Sequence, residues 1–420
     1  MLPSTRSSTR RLPTLVRSLT TDSTTHTPNP PPPPPKTEAP KIRPSRLYLR
    51  PRPAIKNERQ SLPILPPSFG RNQLLPVSNS TRALLEDIVG SFEAPIRYAF
   101  AYGSGVFEQA GYERSVDGKQ KGKDDGPMLD FVFAVTHTDH WHSINMHQFP
   151  GHYPLHARAL GSSFVSKVQE FGPGLWFNTF VPMHGVTIKY GVTTVDTLCA
   201  DLLNWRTLYL AGRMHKPIRI IKDDARVRLT QQVNLTSALR TVLLTLPAEF
   251  TQRELFTAIA GISYAGDPRM VLPAENRGKV TNMVTRQEGQ FRELYWRLAQ
   301  GLPGVRWRVD SEMVEQDTSA HARAAHLKKL PEGLLSRVHT RAEGRGPPRE
   351  ADESAYWLRL AGDEQLPSML HSEMSKIVRY PATVQSLKGV VSAGLTKSTR
   401  YAVAKVGKYW KGSSSSASSS

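Results

Sequence analysis

Tyr102-Gly103-Ser104-Gly105-Val106 and, after a polar insertion, Met128-Leu129-Asp130-Phe131-Val132-Phe133-Ala134-Val135 are the stretches on which the fold turns. The apolar run Ile96–Tyr102 reads as a short strand that empties into the Gly-Ser-Gly turn. Glycines let a backbone approach a ligand closely. A serine hydroxyl and a following helix N-terminus can donate to phosphate oxygens. The second run reads as a buried strand carrying one carboxylate, Asp130, near its start. A carboxylate on a central strand is costly unless it is paired or bound to metal. Between them Ser115–Gly126, rich in Lys, Asp and Gly, reads as a loop.

Neither signal is specific by itself. Gly-Ser-Gly is common in plain turns, and Asp130 has an alternative reading as a cap or an edge residue without metal. Together they match the nucleotidyltransferase arrangement, in which a strand carboxylate holds Mg²⁺ and the metal bridges nucleotide phosphates. Ser80–Val89 reads as a preceding helix. The histidine-rich segment from His137 to His152, with His142 within it, is expected to be a polar loop over a nucleotide site rather than a zinc centre. Ile188-Lys189-Tyr190-Gly191-Val192 ends a later strand. A lysine there needs an anion or a carboxylate partner, and a triphosphate would serve. Thr194–Arg213 reads as one helix capped by Asp196, with Leu198, Leu202, Trp205 and Leu208 as its apolar stripe and Asp201 and Arg213 on its polar face. From about 223 the pattern turns helical, at Asn234–Leu246, Gln252–Ile262 and Arg286–Leu298. The loop Gly261–Met270, containing Asp267, suits a site shared between two domains.

Charge separates the ends from the middle. Of the formal +19 at pH 7, residues 1–60 carry 12 basic and 3 acidic side chains, and 385–412 carry six basic and no acidic ones. About +4 remains for everything between, so a broad nucleic-acid surface on the core is not required and no nucleic-acid partner is expected. The first residues, with Arg6, Arg10, Arg11 and Arg17 and no acid before Asp22, have the composition of a mitochondrial transit peptide. The proline tract Pro30–Pro35 is extended spacer. One cysteine, Cys199, excludes a disulfide framework within one chain. No run of eighteen apolar residues exists, so no transmembrane helix is predicted. Residues 385–412 carry apolar residues at roughly helical spacing, with Lys397, Arg400, Lys405 and Lys408 around them and Trp410 as an interfacial anchor. This is the pattern of a basic amphipathic helix lying on an anionic membrane surface.

The ordered set Tyr102-Gly103-Ser104-Gly105-Val106, Leu129-Asp130-Phe131, Trp141-His142-Ser143, His152-Tyr153, Ile188-Lys189-Tyr190-Gly191-Val192, Asp201-Leu202-Leu203-Asn204-Trp205, Ala211-Gly212-Arg213 and Ser263-Tyr264-Ala265-Gly266-Asp267 resembles the mitochondrial translocator assembly and maintenance family, the matrix-side phosphatidate cytidylyltransferases. The resemblance covers roughly 85–300, with a weaker echo near 376–410. It implies an α+β fold: a nucleotidyltransferase-like mixed sheet with helices, then a helical winged-helix-like domain and a C-terminal amphipathic helix. The corresponding segments are a transit peptide and the start of a Pro-rich linker at 1–35, a linker at 36–78, a nucleotidyltransferase domain at 79–222, a winged-helix-like domain at 223–340, a connector and helix at 341–384, the membrane helix at 385–412 and a tail at 413–420. It further implies CTP and phosphatidic acid as substrates, Mg²⁺ as cofactor, peripheral attachment to the inner membrane and a role upstream of cardiolipin. Asp130 would bind the metal and act with Lys189 in catalysis. Gly103, Ser104, Gly105, Tyr190 and Arg213 would contact the nucleotide. The Asp-X-Asp common on the metal strand is missing, because Val132 stands two after Asp130. Glu108, His142, Asp201 and Asp267 are therefore candidates for further roles. Two other readings compete: a nucleotidyltransferase acting on RNA and a non-catalytic membrane-associated assembly factor.

Overall fold

The computed structural model describes residues 65–66, 68–103, 105–107, 128–271, 278–344, 352–389 and 392, all within one compact unit, Leu62–Ser420. Helix α1 (Asn79–Gly90) starts where Ser78 Oγ accepts from the Thr81 N–H at 3.3 Å. Strand β1 (Tyr98–Tyr102) follows, then β2 (Leu129–Val135), α2 (Thr138–Gln148), α3 (Leu155–Glu170, kinked at Gly161), and the hairpin β3 (Trp176–Met183) and β4 (Val186–Thr194). Next come α4 (Val195–Asn204), α5 (Ala211–Met214) and β5 (Ile218–Lys222). The five strands form one mixed sheet in the order β3-β4-β2-β1-β5, with β2 and β4 parallel and the other pairs antiparallel. Six of the seven residues of β2 are buried, as a strand near the middle of a covered sheet requires.

Register decides the site. Tyr102 on β1 lies opposite Asp130 on β2, and Asp130 lies opposite Lys189 on β4. Cross-strand neighbours share a face, so these three side chains stand in a row. Their sequence neighbours Phe131 and Tyr190 point to the other face. There Tyr190 meets Phe92, Phe133 and Trp141.

Helix α6 (Ala225–Leu243) packs on α4 and leads into β6 (Glu249–Thr251) and α7 (Gln252–Gly261). A capping box between Thr251 and Glu254 opens α7. After α8 (Lys279–Arg286) and α9 (Glu288–Gln300), the strands β7 (Val305–Trp307) and β8 (Met313–Gln316) join β6 in a second sheet, ordered β6-β8-β7. Phe256, Phe291 and Trp307 stack between these elements. Helices α10 (Ala320–Leu327), α11 (Glu332–Glu343) and α12 (Glu353–Gly362) precede a last helix, α13, over 366–389. One hydrophobic cluster runs from Leu75 to Val378, so both sheets share a core. Among the described residues no helix is long and apolar enough to cross a membrane.

Three local expectations are corrected. The histidine-rich segment is not a loop over the site: 138–148 form α2, which buries Trp141, His142 and Asn145 against the sheet. The stretch 194–213 is not one helix either. Thr194, not Asp196, caps α4, and Trp205 ends it in the left-handed conformation at φ 51°. The basic segment 385–412 does not begin a new element, because 385–389 continue α13.

Candidate active site

Asp130 Oδ1 lies 3.3 Å from Lys189 Nζ, and about a quarter of each side chain is exposed. Lys189 Nζ also sits 4.4 Å from the Phe177 ring centroid. Burial pushes the Lys189 ammonium down, but the Asp130 carboxylate, helped by Tyr102 and Tyr209, more than compensates, so its pKa lies above the ordinary lysine range. Asp130 Oδ1 is shut off from water and accepts no hydrogen bond among the described residues. Gly103 takes φ 91°, and a Cβ there would lie 3.6 Å from Asp130 Oδ2. The turn thus runs past the carboxylate in a conformation that favours glycine. Gly105 continues it, and the Val106 N–H closes back on the Gly103 carbonyl at 3.3 Å.

A second group of cations adjoins this pair. Arg213 of α5 donates from Nη1 to the Tyr209 carbonyl at 2.6 Å, and its guanidinium lies 3.8 Å from the Tyr209 ring centroid and 6.0 Å from that of Tyr102. Lys216 donates to Ser263 Oγ at 2.7 Å and faces the Tyr264 ring at 4.3 Å. Burial, then repulsion from Arg213, Lys279 and Arg269, holds the Lys216 pKa well below its usual value, against an opposing pull from Asp267. Asp267 is itself paired, with Arg269 Nη2 at 2.6 Å. Burial raises the Asp267 pKa, but the Arg269 hydrogen bonds and charge outweigh that and leave it below the usual carboxylate range. The loop is held in place by close packing. A Cβ on Gly212 would meet Ser263 Cβ at 2.5 Å, and one on Gly266 would meet the Ser375 carbonyl oxygen at 2.5 Å.

Five cations (Lys189, Arg213, Lys216, Lys279 and Arg269) therefore meet two carboxylates. Such a surplus in a partly dehydrated site favours a polyanion, and phosphates fit it. Among the described residues no three His, Cys, Asp or Glu side chains converge as a metal cage. Asp130 would offer a divalent cation a single carboxylate, and its Oδ1 is the oxygen that pairs with Lys189.

The structure thus brings together Gly103, Gly105, Asp130, Lys189, Arg213 and Asp267. It places three other candidates elsewhere. Tyr190 is buried on the opposite face, where the Asn145 and Asn178 amides donate to its hydroxyl at 2.8 Å and that hydroxyl meets His152 Nδ1 at 2.9 Å. His142 donates from Nε2 to Gln169 Oε1 at 2.9 Å and accepts from the Tyr153 hydroxyl at 2.8 Å, with burial pulling its pKa down to about 4. Both oxygens of Asp201 accept backbone N–H groups, from Thr207, Leu208, Leu210 and Ala211. Ser104, Glu108, Lys397, Arg400, Lys405, Lys408 and Trp410 lie outside the described residues. The sequence pattern set Tyr209 on the polar face of the expected helix 194–213 and gave no role to Tyr102, Lys216, Tyr264, Arg269 or Lys279. A signal existed for Tyr264 and Arg269, inside the loop singled out as a shared site. Lys216 offered none, since only the fold turns it toward Ser263.

A strand carboxylate paired with a strand lysine, flanked by a glycine turn and a bank of cations, is an arrangement whose charge suits phosphates. Comparison with known proteins gives the class a family. The profile described as "Phosphatidate cytidylyltransferase, mitochondrial" matches residues 85–408, and the chain belongs to that family. Relatives carrying that name include the Xenopus laevis protein, 39% identical over 335 residues that span 79% of this chain and 96% of the relative. The Danio rerio protein is 37% identical over 341 residues, 80% of this chain and 98% of the relative. The Saccharomyces cerevisiae protein is 36% identical over 345 residues, 81% of this chain and 74% of the relative.

Proposed function

We propose that this chain transfers CMP from CTP to phosphatidic acid, forming CDP-diacylglycerol and pyrophosphate. Family membership supports the reaction. The observation that carries the site assignment is the Asp130–Lys189 pair beside the Gly103 turn. A phosphatidate phosphate oxygen attacks the α-phosphorus of CTP in line, and the bond from that phosphorus to the β-bridging oxygen breaks. No general base is required, because a phosphate monoester is already ionised near neutral pH. Lys189 and Arg213 offset charge on the triphosphate in the transition state. The turn at 103–105 cradles the departing pyrophosphate. Lys216, Arg269 and Lys279 receive further phosphate charge. Mg²⁺ held through Asp130 would polarise the α-phosphate and neutralise developing charge.

The order α6-β6-α7-α8-α9-β7-β8 supports the winged-helix-like reading of the second half. The relatives' mitochondrial names and the basic segment after α13 support peripheral attachment to the inner membrane from the matrix, where the product would feed cardiolipin synthesis. The test uses purified protein, radiolabelled CTP, Mg²⁺ and liposomes containing phosphatidic acid. Label should enter the organic phase only with phosphatidic acid present and vanish in Asp130→Ala. A folded Asp130→Ala variant with full turnover would overturn the assignment of that residue. Label incorporated into RNA instead of lipid would overturn the substrate.

A further inference from the structure

We propose that the cavity between α6, α10 and α12 is a second ligand site, which takes an anionic amphiphile: a phosphate or carboxylate head on an apolar chain. The cavity is a half-open cleft of about 460 Å³, within the range of small-molecule sites. Pro303, Ala324, Ala325 and Leu358 give it apolar walls. Arg240, His321, Lys328 and Lys329 supply its charged or titratable groups, and no Asp or Glu lines it.

Arg240 carries the argument. It projects from α6 and is half-buried, and its Nε–H is closed off from solvent with no acceptor among the described residues. Burial pushes its guanidinium pKa below the ordinary value, and no carboxylate lies close enough to pull it back. A cation taken out of water without a counter-ion is costly, and an anion seated against it removes that cost. The neighbouring His326 cannot supply one. Burial and then Arg240 itself hold that imidazole near a pKa of about 4, so it is neutral at physiological pH. Lys328 stands at the mouth, its Nζ 5.9 Å from the Trp357 ring. The two exposed lysines alone would be an ordinary solvated rim. The buried Arg240 Nε–H above apolar walls is what that reading leaves unexplained.

The lining also sets the ligand's shape. The candidate active site holds five cations around two carboxylates, which suits several phosphates. Here one half-buried guanidinium, its Nε–H closed off, meets a mainly apolar wall, which suits a single head group and a hydrocarbon chain. This site shares no residue with the other one, so it stands or falls separately from the proposed reaction.

Isothermal titration of the full chain with decyl phosphate, inorganic phosphate and decanol tests the proposal. Decyl phosphate should bind tightest. Arg240→Met should weaken it about tenfold or more, the loss expected for a charged hydrogen bond, while Arg240→Lys keeps most of the affinity. Lys216→Met, at the other site, should leave the Arg240-dependent binding unchanged. Decyl phosphate binding equally well to Arg240→Met overturns the site. Inorganic phosphate binding as tightly as decyl phosphate reduces it to a simple anion pocket, and decanol doing so reduces it to a greasy one. Either result overturns the amphiphile assignment.

Discussion

At the scale of single residues, the chemistry rests on how few groups are free. Asp130 and Lys189 neutralise each other across adjacent strands, so removing either leaves the other uncompensated in a partly buried place. Asp130→Asn and Lys189→Met should each lower kcat by about a hundredfold or more, with a smaller effect on KM. A change confined to KM would show that the pair only binds. Lys216 makes a different kind of test. Repulsion and burial hold its pKa down, so a bound phosphate must raise it, because the anion stabilises the ammonium. At pH values between the Lys216 pKa of the free protein and the higher one of the complex, phosphate ligands should therefore bind with proton uptake, seen as a dependence of the calorimetric enthalpy on buffer ionisation heat. Lys216→Met should abolish that uptake.

His142 is one of three buried histidines that make stability depend on pH. It is buried as a neutral imidazole with its pKa at about 4, below the usual 6.5. Between those values the unfolded chain binds more protons than the folded one, so stability is complete above 6.5 and declines as pH falls toward 4. The cost approaches about 3 kcal/mol at the acid end of the window. Urea midpoints at pH 7 and pH 5 should differ for the native chain, and His142→Gln should shrink the difference by that residue's share, the rest falling to His215 and His326, which burial holds down to about 3 and about 4.

At the scale of elements, the sheet was legible and the connection after α4 was not. Alternation and apolar runs located β1, β2 and β4, and the strand lysine's need for an anion or a carboxylate was legible, but its partner in the structure is Asp130 and not the triphosphate suggested. The registers that set them side by side depend on which strands neighbour which, and no local pattern states that. Reading 194–213 as one helix failed for a physical reason. Where a helix ends in the left-handed conformation, the residue there is usually Gly and sometimes Asn. Here Trp205 takes that conformation, because its buried indole donates to Asn234 Oδ1 at 2.8 Å and lies against His215. Asp201 then gathers the backbone N–H groups of the following turn, a role set by the turn's shape rather than by its composition. Asp201→Ala should leave those groups without acceptors and cost more than about 3 kcal/mol in urea denaturation. Because that turn leads into Arg213, the same change should lower activity in protein that remains folded. The histidines misled for a related reason. Their number suggested a polar loop, but the spacing of Trp141, His142 and Asn145 places all three on one buried helix face.

At the scale of the whole molecule, α13 links the two ends of the argument. It buries Leu366, Met369, Leu370, Met374, Ile377 and Val378 in the common core. Its Ser375 backs the Gly266 turn that presents Asp267 and Arg269. Toward its end Lys388 donates to the carbonyls of Gln169 and Phe171 at 3.0 and 2.8 Å, against the C-terminus of α3. The amphipathic pattern read from 385 onward therefore divides by function. Its first residues belong to the folded body, and the proposed membrane contact falls to the basic stretch beyond 392. Two truncations separate these parts. Each buried side chain of α13 is worth about 1.5–3 kcal/mol, so removing 366–420 takes away as much as a whole domain's net stability and should leave no folded enzyme. Removing 393–420 takes away none of that packing. That shorter chain should melt near the native temperature and keep its activity on a short-chain, water-soluble phosphatidate. It should lose turnover on liposomes, most strongly at low salt, where basic residues near an anionic surface contribute about 1 kcal/mol each. If liposome turnover survives the shorter deletion, the membrane contact lies on the folded body, and the basic tail is no part of substrate delivery.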